Sequence, residues 1–338
     1  MKRILTFSVA LISLINTDLL GQSLQESSTL RLQANEITFG IIQAIQPIGN
    51  DKVIILQGNP DAVLTFNKNG DFIKNLGKVG RGPFEWLTPR YIFQVDDAFA
   101  IWDANGLKFL LYNNELEPVE ELFGIKHAIN GGSFKDQNTL AVLNRTPGQK
   151  EFVHLYQRKN HKDFELIKSV GNLSYEGYVL FFHANTGGLV WNGDDIVYSD
   201  PAKPVINVYN LTSGTVRSFW FTDDNFKVEP WGGVFRSQRE DFQRLETYLF
   251  TNSRIISLKK ISDLILIEVE NFINKQSYIT YHFFDSEYNY VGKTNLGQGR
   301  PLNYIRGIDQ DRLIYWNEDY YNEEETKSIR FRYLDIHK

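Results

Sequence analysis

The segment Ala62-Val63-Leu64-Thr65-Phe66-Asn67-Lys68-Asn69-Gly70-Asp71-Phe72-Ile73-Lys74-Asn75-Leu76 decides the fold. It begins as an apolar run, ends that run on an aromatic followed by Asn, turns through Gly and re-enters a strand-like run. Asn suits the start of a hairpin because its side chain bonds backbone groups two residues on, and Gly accepts the backbone angles of a tight turn. The same junction recurs at Tyr112-Asn113, Tyr156-Gln157, Tyr209-Asn210, Phe284-Asp285 and Leu334-Asp335. After each of the first five comes a polar turn and another strand-like run, at 71–76, 118–123, 164–170, 216–221 and 290–296. Successive junctions lie 46, 44, 53, 75 and 50 residues apart. Four of these spacings suit one four-stranded blade, and short strands at such a period signal a propeller.

Six junctions imply six blades. The last lies so close to the C-terminus that blade six has no fourth strand of its own. An open ring would leave strand edges that invite aggregation. The remaining strand-like segment is N-terminal, around 29–33, so the N-terminus is expected to supply the outermost strand of the last blade. The long spacing carries an insertion at 224–250. There Ser237-Gln238-Arg239-Glu240 fits a helix capping box, and Phe242, Leu245 and Leu249 recur on one face. Two further features keep the register. Trp102-Asp103 and Trp316-Asn317 end the second strands of blades two and six. Gly/Arg/Pro connectors, Gly80-Arg81-Gly82-Pro83 and Gly297-Gln298-Gly299-Arg300-Pro301, fall between blades one and two and between blades five and six. The fold class is therefore all-β: a six-bladed β-propeller of four-stranded antiparallel blades with one helical insertion.

The stretch from Phe66 to Gly77, followed by Gly80-Arg81-Gly82-Pro83-Phe84-Glu85, resembles the TolB-like six-bladed β-propeller proteins exported by Bacteroidetes bacteria. That family often carries Gly where this chain has Phe84. The resemblance implies the fold and export, and it says little about chemistry. WD40, kelch and sialidase propellers fit less well. Trp-Asp occurs once, the Gly doublets lack their aromatic partners, and there is no Ser-x-Asp-x-Gly-x-Thr-Trp box.

Composition narrows the function. With no Cys among 338 residues, a disulfide scaffold, a thiolate zinc site and a cysteine nucleophile are excluded. Lys plus Arg number 36 against 41 Asp plus Glu, a net charge of −5 that argues against non-specific nucleic-acid binding. Lys2 and Arg3 precede an apolar run from Ile4 to Ile15. That run is too short for a bilayer core needing about 20 residues, and it reads as a secretory signal over 1–23, cleaved after Gly21 or Ser23. Residues 24–338 then form one domain of a periplasmic or secreted protein, expected to be monomeric.

Function is expected on one face of the disc. Connections between blades and between second and third strands share that face, and the long ones lie at 77–89, 171–186, 222–252 and 317–328. The opposite face has short turns such as 68–71 and 113–117. Candidate ligand contacts are Arg81, Trp86, Arg90, His183, Trp231, Arg236, Arg300 and Tyr304, because Arg and aromatic residues anchor interfaces. The expected partner is a peptide, a glycan or a protein. Nothing points to catalysis, a metal or a cofactor. The six His (127, 154, 161, 183, 282 and 337) form no ligand-spaced pair, Asp194-Asp195, Asp223-Asp224 and Asp309 with Asp311 lack a calcium-loop context, and no nucleophile elbow occurs. The alternative is a propeller hydrolase or lyase in which Glu85, Glu176 or Glu229 converge at the channel mouth.

Overall fold

The computed structural model describes residues 23–33, 39–146, 151–184, 186–232, 239–298, 305–309, 312–315 and 328–337. They form six four-stranded antiparallel sheets. The chain starts with β1 (Ser23–Gln33) and then lays down blade one as β2 (Ile41–Ile48), β3 (Lys52–Gly58), β4 (Ala62–Asn67) and β5 (Phe72–Asn75). Blade two is β6 (Pro89–Val95), β7 (Ala98–Asp103), β8 (Lys108–Asn113) and β9 (Pro118–Leu122). Blade three is β10 (Ile129–Asp136), β11 (Thr139–Asn144), β12 (Glu151–Arg158) and β13 (Phe164–Asn172). Helix α1 (Tyr175–Ala184) precedes blade four, which is β14 (Leu189–Asn192), β15 (Asp195–Ser199), β16 (Val205–Asn210) and β17 (Val216–Trp220). Helix α2 (Arg239–Leu249) precedes blade five, built from β18 (Arg254–Ile261), β19 (Leu264–Ile273), β20 (Gln276–Asp285) and β21 (Tyr290–Gln298). Blade six is β22 (Ile305–Asp309), β23 (Arg312–Tyr315), β24 (Ser328–His337) and, outermost, β1.

The ring closes as the chain's two ends require. β1 pairs antiparallel with β24 from Ser23 opposite His337 to Gln33 opposite Ser328, a strand longer than the 29–33 expected. Leu30 and Leu32 seal this joint in a core shared with Phe331 and Tyr333 of β24 and with Phe39, Ile42 and Phe66 of blade one. Each of the other five joints has its own apolar core, for example Ile54, Leu56 and Val63 of blade one against Phe99, Ile101 and Leu110 of blade two. Second strands are buried on both sides, which is why β3, β7 and β19 read as nearly unbroken apolar runs.

The junction residue earns its place in the turn. Asn67 Oδ1 accepts the N–H of Asn69 and of Asp71, both at 2.9 Å. Asn113 does the same for Glu115 and Glu117, and Asp285 for Glu287 and Asn289. The third residue after each of these three junctions has a positive φ: Gly70 at 90°, Leu116 at 63° and Tyr288 at 70°. Leu116 and Tyr288 fill the joint with the preceding blade. At Gly70 the backbone of β1 occupies that space, and a Cβ would run into the Arg31 carbonyl. Glycine is needed where the ring is closed.

Three readings change. The connection at 171–186 holds helix α1, for which the sequence showed no helical period. Gly297 and Gln298, read as connector, extend β21, with Gln298 opposite Tyr278. Phe242 faces solvent, 67% exposed, and Leu245 is the first buried residue among the described side chains of α2. Trp316-Asn317, Ser237 of the capping box and the 317–327 stretch lie outside the described residues.

Candidate functional site

Among the described connections on the elaborated face, two carry helices, and residues of both helices share one apolar cluster. Helix α1 starts where Ser174 caps it: its Oγ accepts the Gly177 N–H at 3.1 Å. Asp200, in the loop between β15 and β16, in turn accepts the Ser174 N–H at 2.8 Å. At the other end, Arg145 donates to the Phe182 carbonyl at 2.6 Å and lies over the Phe182 ring. Val179 and Leu180 of α1, Ala202, Trp231, Leu245 and Tyr248 form a small apolar core. This core is separate from the six between blades. Trp231 and Tyr248 meet edge to face, with ring centres 4.9 Å apart.

The second connection is tied down at both ends. At its start, Asp223 Oδ2 accepts from Asn271 Nδ2 at 2.8 Å and from His282 Nε2 at 3.2 Å, deep in blade five. Burial raises the Asp223 pKa, but these hydrogen bonds and the Asn225 N–H outweigh it and hold it at about 2. Burial pushes the fully enclosed His282 below its ordinary value, against the opposing pull of Asp223. The imidazole is therefore neutral: Nε2–H donates to Asp223, and Nδ1 accepts the Tyr290 hydroxyl at 3.1 Å. At the other end, Asn252 accepts the Glu229 N–H at 2.5 Å and donates to the Tyr248 carbonyl at 2.8 Å. The Tyr248 hydroxyl donates to the Glu229 carbonyl at 3.0 Å.

Between the 229–232 loop and α2 lies a cavity of about 290 Å³. Glu229, Trp231, Gly232, Arg244 and Tyr248 line it, with Thr247 on the helix and Thr251 just past its end. The Arg244 guanidinium sits 5.3 Å over the Trp231 ring. A second cavity, about 390 Å³, opens between blades two and three beside His127, Tyr156 and Asp163. Among the described residues no group of three His, Asp or Glu is placed to hold a metal ion.

The expected contacts are dispersed. Trp231 lies at the cap cavity, and His183 is exposed at the end of α1, its pKa lowered by partial burial and by Arg145. Arg81 is exposed in the connector between blades one and two, and Arg90 is exposed on β6. Trp86 is 1% exposed in the core between blades one and two, where Nε1 donates to the Leu76 carbonyl at 3.0 Å. Arg236, Arg300 and Tyr304 lie outside the described residues. Of the carboxylates weighed for catalysis, Glu85 serves its own loop. It accepts the Gly82 N–H at 2.7 Å and pairs with Lys78 at 2.9 Å, and these contacts hold its pKa below the usual range. Glu176 accepts the Trp231 N–H at 3.4 Å. The residue that sequence reading missed is Arg244. Its signal was the four-residue spacing to Tyr248, which puts both on one side of α2.

Comparison with known proteins agrees with this architecture. No curated protein matches the sequence. A DUF4221-family member from Bacteroides vulgatus superposes with a TM-score of 0.66 at 10% identity, covering 95% of this chain and 100% of its own. An exported protein of putative assignment from Bacteroides fragilis gives 0.65 at 16% identity, covering 94% and 96%. Streptogramin B lyase gives 0.50 at 6% identity, covering 94% and 99%. At such identities the likeness is one of fold. The model of the family described as DUF5128, 6-bladed beta-propeller, matches residues 22–296, and the chain belongs to that family.

Proposed function

We propose that this protein is an exported, non-catalytic binding module that holds a peptide, glycan or protein partner on its elaborated face. The carrying observation is the helical cap. Two connections from different blades meet there and build a core of their own, and the second of them frames an open cavity with an aromatic and a cationic wall. Ring closure needs no such layer. Rigid scaffolds place binding residues on loops of this kind. Export rests on the leader read at 1–23; cleavage after Gly21 or Ser23 leaves Leu24–Gln33 available as the closing strand. On this reading the protein is a TolB-like propeller, monomeric, in the periplasm or outside the cell.

The test is retention on immobilised peptide and glycan libraries. A variant changed on the elaborated face (Arg81→Glu, Arg90→Glu, His183→Ala) should lose partners that the wild type keeps. A variant changed on the opposite face (Lys68→Glu, Glu115→Lys) should keep them. The reverse pattern would place binding elsewhere. The hydrolase or lyase reading draws on Glu176 and Glu229, whose charges both act on Tyr248. If it were right, Glu176→Gln and Glu229→Gln would leave retention intact while abolishing turnover of a retained ligand.

A further inference from the structure

Five arginines lie over aromatic rings in the described structure. Arg145 also donates to the Phe182 carbonyl, Arg217 is 3.5 Å from Asp195, and Arg254 pairs with Glu270 at 2.5 Å while donating to the Leu249 carbonyl. Arg312 likewise has a further interaction. Arg244 has neither an ion pair nor a hydrogen bond among the described residues, yet its position is defined on two sides. Trp231 lies beneath the guanidinium, and a Cβ built on Gly232 would come within 3.2 Å of Nη2. A guanidinium lying over an indole leaves N–H donors free to point away from the ring. Those donors form the fork that matches a carboxylate.

The hydroxyl and amide groups of the cavity are engaged within the protein, whereas the Glu229 carboxylate that also lines it is in no ion pair or hydrogen bond among the described residues. Thr247 donates to the Gln243 carbonyl at 2.9 Å, Thr251 to the Thr247 carbonyl at 2.8 Å, and Asn252 bonds main chain through both ends of its amide. A sugar ring, which needs several free donors and acceptors, finds few here. A single carboxylate on an otherwise apolar body finds one strong partner. The cavity, at about 290 Å³, matches the lower end of ligand sites, enough for about one residue of a chain.

Building on the reading of the cap as the binding face, we propose that Arg244 receives a carboxylate of a peptide ligand in the cavity between the 229–232 loop and α2. The probe is the tripeptide N-acetyl-alanyl-phenylalanyl-alanine, as free acid and as C-terminal amide, titrated calorimetrically into the full chain. The acid should bind about tenfold or more tightly than the amide, as expected for a charge-assisted pair. Arg244→Gln should erase that preference at an unchanged melting temperature. Arg244→Lys should recover only part of it, because an ammonium lacks the planar fork. Equal binding of acid and amide, a preference that survives Arg244→Gln, or no binding of either would overturn the proposal. So would glucuronate binding Arg244 more tightly than the peptide acid, which would make the ligand an acidic sugar. None of these results touches the wider reading, which the two-face retention experiment decides separately.

Discussion

Two tryptophans, Trp86 and Trp231, sit in connections on the same face of the disc and do different work. Trp86 closes the joint between blades one and two, and its connector is satisfied from within. Glu85 binds that connector's own backbone, and Asp103 accepts the Leu87 and Thr88 N–H groups at 3.0 and 2.8 Å. Trp231 belongs to a layer laid over the ring, with a cavity on one side and, over its face, a cation that has no ion pair or hydrogen bond among the described residues. Where the polar groups around the indole are answered by the protein, the tryptophan holds the fold. Where one strong donor is left over, it is available to a ligand.

The largest effect should come from the ring itself. Deleting residues 24–36 removes β1, exposes the β24 edge and strips Leu30 and Leu32 from the closing core. The expected outcome is no cooperative melting transition; a truncated protein that melts like the full chain would refute the closure. Trp86→Ala comes next. Truncating a buried tryptophan costs about 3–5 kcal/mol, a large share of the roughly 5–15 kcal/mol that holds a domain together. Thermal denaturation should show it as a global loss. Trp231→Ala removes a ring of similar size, but from the cap. It should open α1 and α2 to hydrogen exchange while lowering the melting temperature less than Trp86→Ala does. Equal global losses would mean that cap and ring unfold as one unit.

Acidity should act on the anchor between the two. His282 has a folded pKa below the ordinary 6.5, so the unfolded chain takes up a proton first as pH falls. The stability associated with this group is present above pH 6.5 and lost as pH falls through its folded pKa. Asp223, at about 2 against an ordinary 3.8, adds a second loss in that lower window. Melting temperature followed from pH 7 downward should fall below about 6.5, with a shallower slope in His282→Gln. The smallest structural effect belongs to Gly232→Ala, whose added methyl crowds Arg244 Nη2. Melting should be unchanged, and binding of the tripeptide acid should weaken severalfold.

Much of the ring was legible because its signal is local and repeated. The residue after the third strand answers backbone N–H groups of the turn, two at Asn67, Asn113 and Asp285 and one at Asn210, and spacing then counts the blades. The cap was legible only in part. Leu245 and Leu249 marked α2, but Phe242 was assigned to the buried side because periodicity alone cannot say where along a helix its support begins. Helix α1 was missed because its apolar residues run all round it. It is held by Ser174, Asp200 and Arg145, the last two from loops in other blades.

The sequence by itself determined the number of blades, their strand pairing and the return of the N-terminus to close the ring, since each follows from hydrogen-bonding and burial demands that neighbouring residues must meet. Only the tertiary structure decided which polar groups remain unanswered. Glu85 and Arg244 look alike as charged residues in long connections. The first finds its partners three and seven residues away in its own loop, and the second is set on an indole thirteen residues back, with no ion pair or hydrogen bond among the described residues. That distinction depends on distances between side chains brought together by folding, and no local pattern encodes it.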